Sequence, residues 1–125
     1  TGNGDVLLVA VGSMVAPAVD AARALGAEGI SVDVVDPRWV YPVPASILES
    51  AGGRSLVVTV EDNGLHGGVG SAVSAGLERA AVCVDRLSLG IPQEFLDHAS
   101  RGEILSDAGL TPEGIADGIR GRLGA

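Results

Sequence analysis

Hydrophobic and polar positions alternate along this chain with two periods. Val6 to Val11, in DVLLVAVGS, is a near-continuous apolar run closed by Gly12-Ser13. Such a run predicts a strand covered on both faces, as in a parallel sheet. Val15, Ala18, Val19, Ala22 and Leu25 then recur at helical spacing, with Asp20, Arg23 and Glu28 off that face. Pro17 suits the start of that helix, where its missing N–H costs little, and Gly26 or Gly29 ends it. Ile30 to Val35 predicts a second strand, and the alternation of Val32 and Val34 with Asp33 sets it nearer the sheet edge.

DPRWVYPVP comes next, with three prolines in nine residues, and cannot be regular structure. A short helix is expected over Ala45 to Ala51, with Pro44 in its first turn, and Leu56 to Val60 reads as a third strand. After a glycine-rich loop, Val69, Val73 and Leu77 repeat at four-residue spacing, which predicts another helix. Val82 to Leu87 reads as a fourth strand. Ser100-Arg101-Gly102-Glu103 is a capping box before Ile104 and Leu105. Thr111-Pro112-Glu113 opens a last helix whose Ile115, Ile119 and Leu123 form one stripe. The chain has no internal repeat and no low-complexity segment.

Strands and helices in this order predict one α/β domain over residues 1–125: three layers, α/β/α, around a mainly parallel sheet of about four strands. In such sheets, ligands and partners meet the loops at the carboxyl ends of the strands, above all where the strand order reverses. Three loops therefore carry the functional interest: Gly12-Ser13-Met14, Asp36-Pro37-Arg38-Trp39, and Glu61 to Gly70.

Composition narrows the options. With only Trp39, Tyr41 and Phe95 as aromatics, the core must be built from Val, Leu, Ile and Ala. The net charge of −8 argues against nucleic acid or an anionic membrane as partner, because both need a basic surface. All eight basic residues are arginine, so a P-loop lysine, a Schiff-base lysine and a lysine general base are excluded. Cys83, the sole cysteine, lies in the apolar run Ala81-Val82-Cys83-Val84 and is expected to be a buried structural thiol. With no disulfide framework, no membrane-length apolar segment and no signal peptide, the chain fits a cytoplasmic setting.

The stretch VEDNGLHGGVGSAV looks like a phosphate cradle but fails the tests for one. Gly68-Val69-Gly70-Ser71-Ala72 is followed by Val73, so the third small residue of a dinucleotide fingerprint is missing, and no Gly-Lys-Ser/Thr follows. Free amides at a helix start attract anions, but Glu61 and Asp62 stand in the same loop and oppose one. His66 could shuttle protons with Glu61 or Asp62 as its orienting partner. Without a nucleophile or a second histidine at ligand spacing, a locally hydrogen-bonded contact residue is the favoured assignment. His98 sits near a helix end, and two histidines thirty-two residues apart do not make a zinc site. From the residues alone, this is an α/β domain with loops suited to contact and no self-sufficient catalytic set. A stand-alone interaction or regulatory domain, binding a partner or an anion at the strand ends, is the alternative.

Taken together, VLLVAVGSMV, VVDPRWVYPV, LVVTVEDNGLHGGVGSAV and LGIPQEFLDHASRGEILSDAGLT resemble the C-terminal domain of the 1-deoxy-D-xylulose-5-phosphate synthases, within the transketolase-like, thiamine-diphosphate-dependent family. The resemblance covers nearly the whole chain, in order and at similar spacing. It implies a parent enzyme that condenses pyruvate with glyceraldehyde 3-phosphate, with loss of CO₂, for isoprenoid precursor, thiamine and pyridoxal synthesis. In that family thiamine diphosphate and Mg²⁺ sit in the two preceding domains. The Gly-Asp-Gly…Asn diphosphate motif and the activating glutamate have no counterpart here, so no catalytic, cofactor or metal residue is expected in this chain.

The resemblance instead implies packing on the other domains and on the second subunit of a homodimer. The contact residues expected for this are Gly12, Ser13, Arg38, Asp62, Asn63, Gly64, His66, Gly67 and Gly68. Asn63-Gly64 should form a left-handed turn, the Gly67-Gly68 amides should point outward, and Gly68→Val should weaken the assembly while leaving the isolated domain folded. Two features depart from the family pattern. Pro42-Val43-Pro44 replaces the usual Pro-Leu-Asp, so Pro44 must set the next helix start. The family's additional first strand, antiparallel to the others, has no counterpart where Thr1-Gly2-Asn3-Gly4 leads straight into Val6. A remnant with one bare sheet edge is expected, and bare edges favour self-association against the modest repulsion of the −8 charge.

Overall fold

Val6, Leu8 and Ala10 face one way from their strand and Leu7 and Val9 the other, and the domain is built on both sides of that alternation. The structure, a computed structural model, describes residues 5–38, 43–64, 68–91, 105 and 109–124. The described elements are β1 (Val6–Ala10), a 3₁₀ turn (Gly12–Met14), α1 (Val15–Ala27), β2 (Val32–Val35), α2 (Ala45–Ala51), β3 (Leu56–Gly64), α3 (Val69–Arg79), β4 (Arg86–Ile91) and α4 (Pro112–Leu123). The four strands are parallel and lie in the order β2-β1-β3-β4.

Val6, Leu8, Ala10, Leu56, Val58 and Val60 meet α1 and α4 through Ala18, Ala21, Leu25, Ile115 and Ile119. On the opposite face, Leu7, Val9 and Val57 meet α2 and α3 through Ile47, Ala51, Val69, Val73 and Leu77. Three layers result, as the sequence pattern requires. Each fully buried Leu or Ile contributes about 1.5–3 kcal/mol, so aliphatic side chains alone can supply this core. All of β1 is buried, which its unbroken apolar run predicts, and half-buried β2 lies at the edge. From β1 the chain goes first to β2 on one side and later to β3 and β4 on the other. The order therefore reverses between β1 and β3.

Several boundaries differ from the sequence pattern. β3 continues past Val60 to Gly64, because β4 offers it a partner as far as Ile91, with a bulge between Val60 and Gly64. Asn63 and Gly64 therefore extend the strand and do not make the expected left-handed turn. β4 starts at Arg86 and not at Val82, because Ala81 turns the chain at φ +57. Val82 and Val84 still pack on the α3 face, but Cys83 is exposed and is not the expected buried thiol. Gly26 lies inside α1, and it is Gly29, at φ +88, that turns the chain out of it. Pro44 occupies the cap position ahead of α2. The expected capping box at Ser100–Glu103 lies outside the described residues.

α4 begins as its sequence predicts: Thr111 Oγ1 accepts the Gly114 N–H at 3.1 Å with Pro112 in the first turn. Two arginines near its end clamp it to the body. Arg120 forms a two-pronged pair with Glu28 just past α1, and Arg122 donates to both oxygens of Asp85 at 2.8 Å. The hydrogen bond from Arg120 holds the Glu28 carboxyl below the usual carboxylate range, and that from Arg122 does the same for Asp85. Depressed carboxyls stabilise fully above their unfolded pKa, and that contribution is lost as pH falls through the folded one. Acidification below the usual carboxylate range should therefore cost α4 its hydrogen-exchange protection before the sheet loses its own. Equal loss in both would contradict the clamp.

Candidate functional site

The carboxyl ends of β1 and β3 flank the point where strand order reverses, the place an open α/β sheet offers to a ligand. Here that crevice is bridged. The Val11 N–H donates to the Val60 carbonyl at 3.3 Å, and the Ser13 hydroxyl donates to Asp62 Oδ2 at 2.7 Å. Gly12 supplies the turn that allows this, at φ +59 with open space around its α-carbon. Ser13 and Asp62, singled out separately in the sequence, thus come together. Exposed Arg38 follows β2 in a left-handed conformation, φ +67, held by its N–H donating to Asp36 Oδ1 at 2.9 Å. Asn63 and Gly64 are the last residues of β3. His66 and Gly67 lie outside the described residues.

The residue at the centre of the described contacts is Glu61, which the sequence alone offered as an obstacle to anions or as an orienting partner for His66. Strand alternation points Val57, Thr59 and Glu61 toward α3, and Glu61 is just 1% exposed. Its Oε1 accepts the Val69 N–H at 3.0 Å and its Oε2 the Gly70 N–H at 2.9 Å. The chain's own carboxylate therefore occupies the positive end of α3. Burying a carboxylate costs several kcal/mol; two charge-assisted bonds at about 1.5–3 kcal/mol each, with the helix dipole added, offset that cost.

Both glycines of the Gly68-Val69-Gly70 run serve internal packing. A Cβ on Gly68 would lie 1.8 Å from Glu61 Oε1, and a Cβ on Gly70 would lie 2.5 Å from Ser88 Oγ and 2.9 Å from Thr59 Oγ1. Gly68 makes room for the carboxylate, and Gly70 lets α3 close on β3 and β4, where Thr59 and Ser88 hydroxyls bond at 3.2 Å. The expectation that Gly68→Val spares the domain is thereby reversed. A sequence signal for Glu61 did exist: extending the period-2 alternation of β3 one step past Thr59 places it under α3.

The described residues do not fit a thiamine diphosphate or its metal. The α3 amides that could meet a phosphate are bonded by Glu61, and no cluster of His, Cys, Asp or Glu among the described residues is arranged to hold a metal ion. A groove of about 510 Å³ between α1 and α4, lined by Asp20, Glu113, Asp117 and Arg120 among others, involves none of the residues expected to make contacts. Among the described residues, no helix is long and apolar enough to cross a membrane.

Comparison with known proteins agrees with this architecture. Residues 1–115 match the family described as transketolase, C-terminal domain. The chain belongs to that family. It is 53% identical over 123 residues to the 1-deoxy-D-xylulose-5-phosphate synthase of Mycobacteroides abscessus, and 56% identical over 121 residues to that of Mycolicibacterium gilvum. These matches cover 98% and 97% of this chain but only 19% of either relative, in the C-terminal region. Among solved structures, a split-gene transketolase described as an inactive β4 tetramer superposes with a TM-score of 0.83 at 33% identity, covering 94% of this chain and 39% of that one. A transketolase from Pichia stipitis superposes with a TM-score of 0.64 at 25% identity, over 92% of this chain and 16% of that one.

Proposed function

We propose that this chain is the C-terminal packing and dimerisation domain of a 1-deoxy-D-xylulose-5-phosphate synthase. The parent would condense pyruvate with glyceraldehyde 3-phosphate, releasing CO₂, in a cytoplasmic route to isoprenoid precursors. The observation that carries this is identity above 50% with such synthases along nearly the whole chain, combined with a span of only 19% of their length. Thiamine diphosphate and Mg²⁺ would be held by the rest of the parent. The self-filled start of α3 supports that division, because the cradle a diphosphate would need is already closed.

The contact surface would comprise Gly12, Ser13, Arg38, Asp62, Asn63, Gly64, His66, Gly67 and Gly68, facing a neighbouring domain or the second subunit. The inactive tetramer formed by the β chain of a split-gene transketolase gives a precedent for such a part assembling without activity. Assayed with pyruvate, glyceraldehyde 3-phosphate, thiamine diphosphate and Mg²⁺, the intact parent should release CO₂ while the 125-residue chain releases none. An intact parent that is inert with these substrates would refute the assignment, as would turnover by the chain alone.

A further inference from the structure

We propose that Arg38 is an ion-pair anchor of the subunit interface: its guanidinium takes a carboxylate of the second subunit of the parent. This deepens, and rests on, the dimerisation role proposed above. Strand register places the residue. Val9 pairs with Val35 and Ala10 with Val60, so the turns after β2 and β1 and the end of β3 share one rim of the sheet. Asp36, Arg38 and Asp62 stand on that rim. Both carboxylates are engaged: Asp62 accepts the Ser13 hydroxyl, and Asp36 accepts the backbone N–H of Arg38 at 2.9 Å. The exposed guanidinium of Arg38 has no ion-pair partner among the described residues.

The other arginines among the described residues have local reasons for their place. Arg23, Arg54, Arg86, Arg120 and Arg122 form ion pairs, and Arg79 lies in the last turn of α3, where the helix dipole favours a cation. Arg38 has neither reason, in a chain with sixteen acids to eight arginines. It is also held against its backbone preference. Its φ of +67 is costly for a residue with a side chain, and the other left-handed positions described are five glycines and Ala81. The bond to Asp36 and buried Pro37, whose ring fixes its φ, keep the backbone there. A guanidinium on a fixed backbone loses less freedom when its planar fork meets a carboxylate. A second copy of a chain with net charge −8 presents mostly carboxylates, so this unpaired cation is complementary to it.

In the full-length enzyme carrying this domain, Arg38→Asn should raise the dimer dissociation constant about ten-fold. Arg38→Glu, which sets like charges together, should raise it about a hundred-fold. Added NaCl should weaken the wild-type dimer more than the Arg38→Asn dimer and bring their ratio toward one, because salt screens a pair that the variant lacks. Asparagine accepts a positive φ more readily than arginine, so the 125-residue chain carrying Arg38→Asn should melt no lower than the wild type. Wild-type dimerisation by Arg38→Glu would overturn the anchor, as would a ratio that salt does not narrow. So would a lower melting temperature in Arg38→Asn, because that result assigns Arg38 to the fold. If Arg38→Glu does not fold, Arg38→Asn decides, and an unchanged dissociation constant in that variant refutes the pair. A monomeric wild-type parent would overturn the anchor and the dimerisation role together. A dimeric parent inert with pyruvate and glyceraldehyde 3-phosphate would remove the enzymatic assignment and leave the Arg38 ratios standing, so the failures are distinguishable.

Discussion

Gly68→Val should destabilise the domain by roughly 3–5 kcal/mol, through eviction of the buried Glu61 carboxylate. Gly68 is at φ −94, so backbone strain is not the cause. The first added carbon would lie 1.8 Å from Oε1 and 2.7 Å from Cδ of Glu61, a side chain pinned by two amides and unable to swing aside. Displacing it leaves two unpaired amides and a buried charge. Even Gly68→Ala should cost most of this, because the clash is with the β-carbon itself. In a domain of this size the melting temperature should fall by about 10 °C or more. Gly26→Ala is the matched control: nothing lies within 4 Å of its added carbon and its site is helical, so that variant should gain about 0.5–1 kcal/mol. Equal melting temperatures for Gly68→Val and the wild type would contradict that geometry.

The second large effect is expected at Arg54, on the far side of the sheet's first edge. Its side chain is only 3% exposed and pairs with Asp33 Oδ2 at 2.7 Å, while Nε and Nη2 donate to the carbonyl and hydroxyl of Ser50 at 2.8 Å. The guanidinium thus satisfies a carbonyl in the last turn of α2 and ties that turn to strand β2. Arg54→Met keeps much of the volume but removes the guanidinium from the Asp33 carboxylate and the Ser50 carbonyl. Breaking a buried pair costs about 3–5 kcal/mol; with Asp33 24% exposed, water recovers part of it, and about 2–3 kcal/mol is expected. Denaturant unfolding should show that loss, and Asp33→Asn combined with Arg54→Met should lose less than the single variants sum to. Strict additivity would refute the pairing. The same ion pair puts a charge in the middle of edge strand β2, a recognised way to discourage strand-to-strand aggregation.

The fold was legible because its signals are periodic and local. Val69, Val73 and Leu77 are buried as their four-residue spacing requires, α2 occupies Ala45–Ala51 as read, and Thr111-Pro112 opens α4. What the chain did not reveal depended on contacts distant in sequence. β3 grew to Gly64 because β4 supplied a partner, and β4 itself began four residues late because Ala81 took a left-handed turn that no local rule predicts for alanine. Cys83 sits in an apolar run yet faces solvent, because the ladder that would have buried it starts beyond it. The stretch after Val60 was legible only in part. Glycine spacing lacks a nucleotide fingerprint, and the charge of Glu61 was read as repulsion toward a ligand. Its actual role, that of the anion bound at the helix start, is set by a register that only the paired strand defines.

The most direct test of the central claim, a transketolase C-terminal domain whose helix start is closed to phosphate, is isothermal titration of the 125-residue chain with thiamine diphosphate and Mg²⁺. The closed α3 start predicts no saturable heat. Micromolar, saturable binding would contradict it.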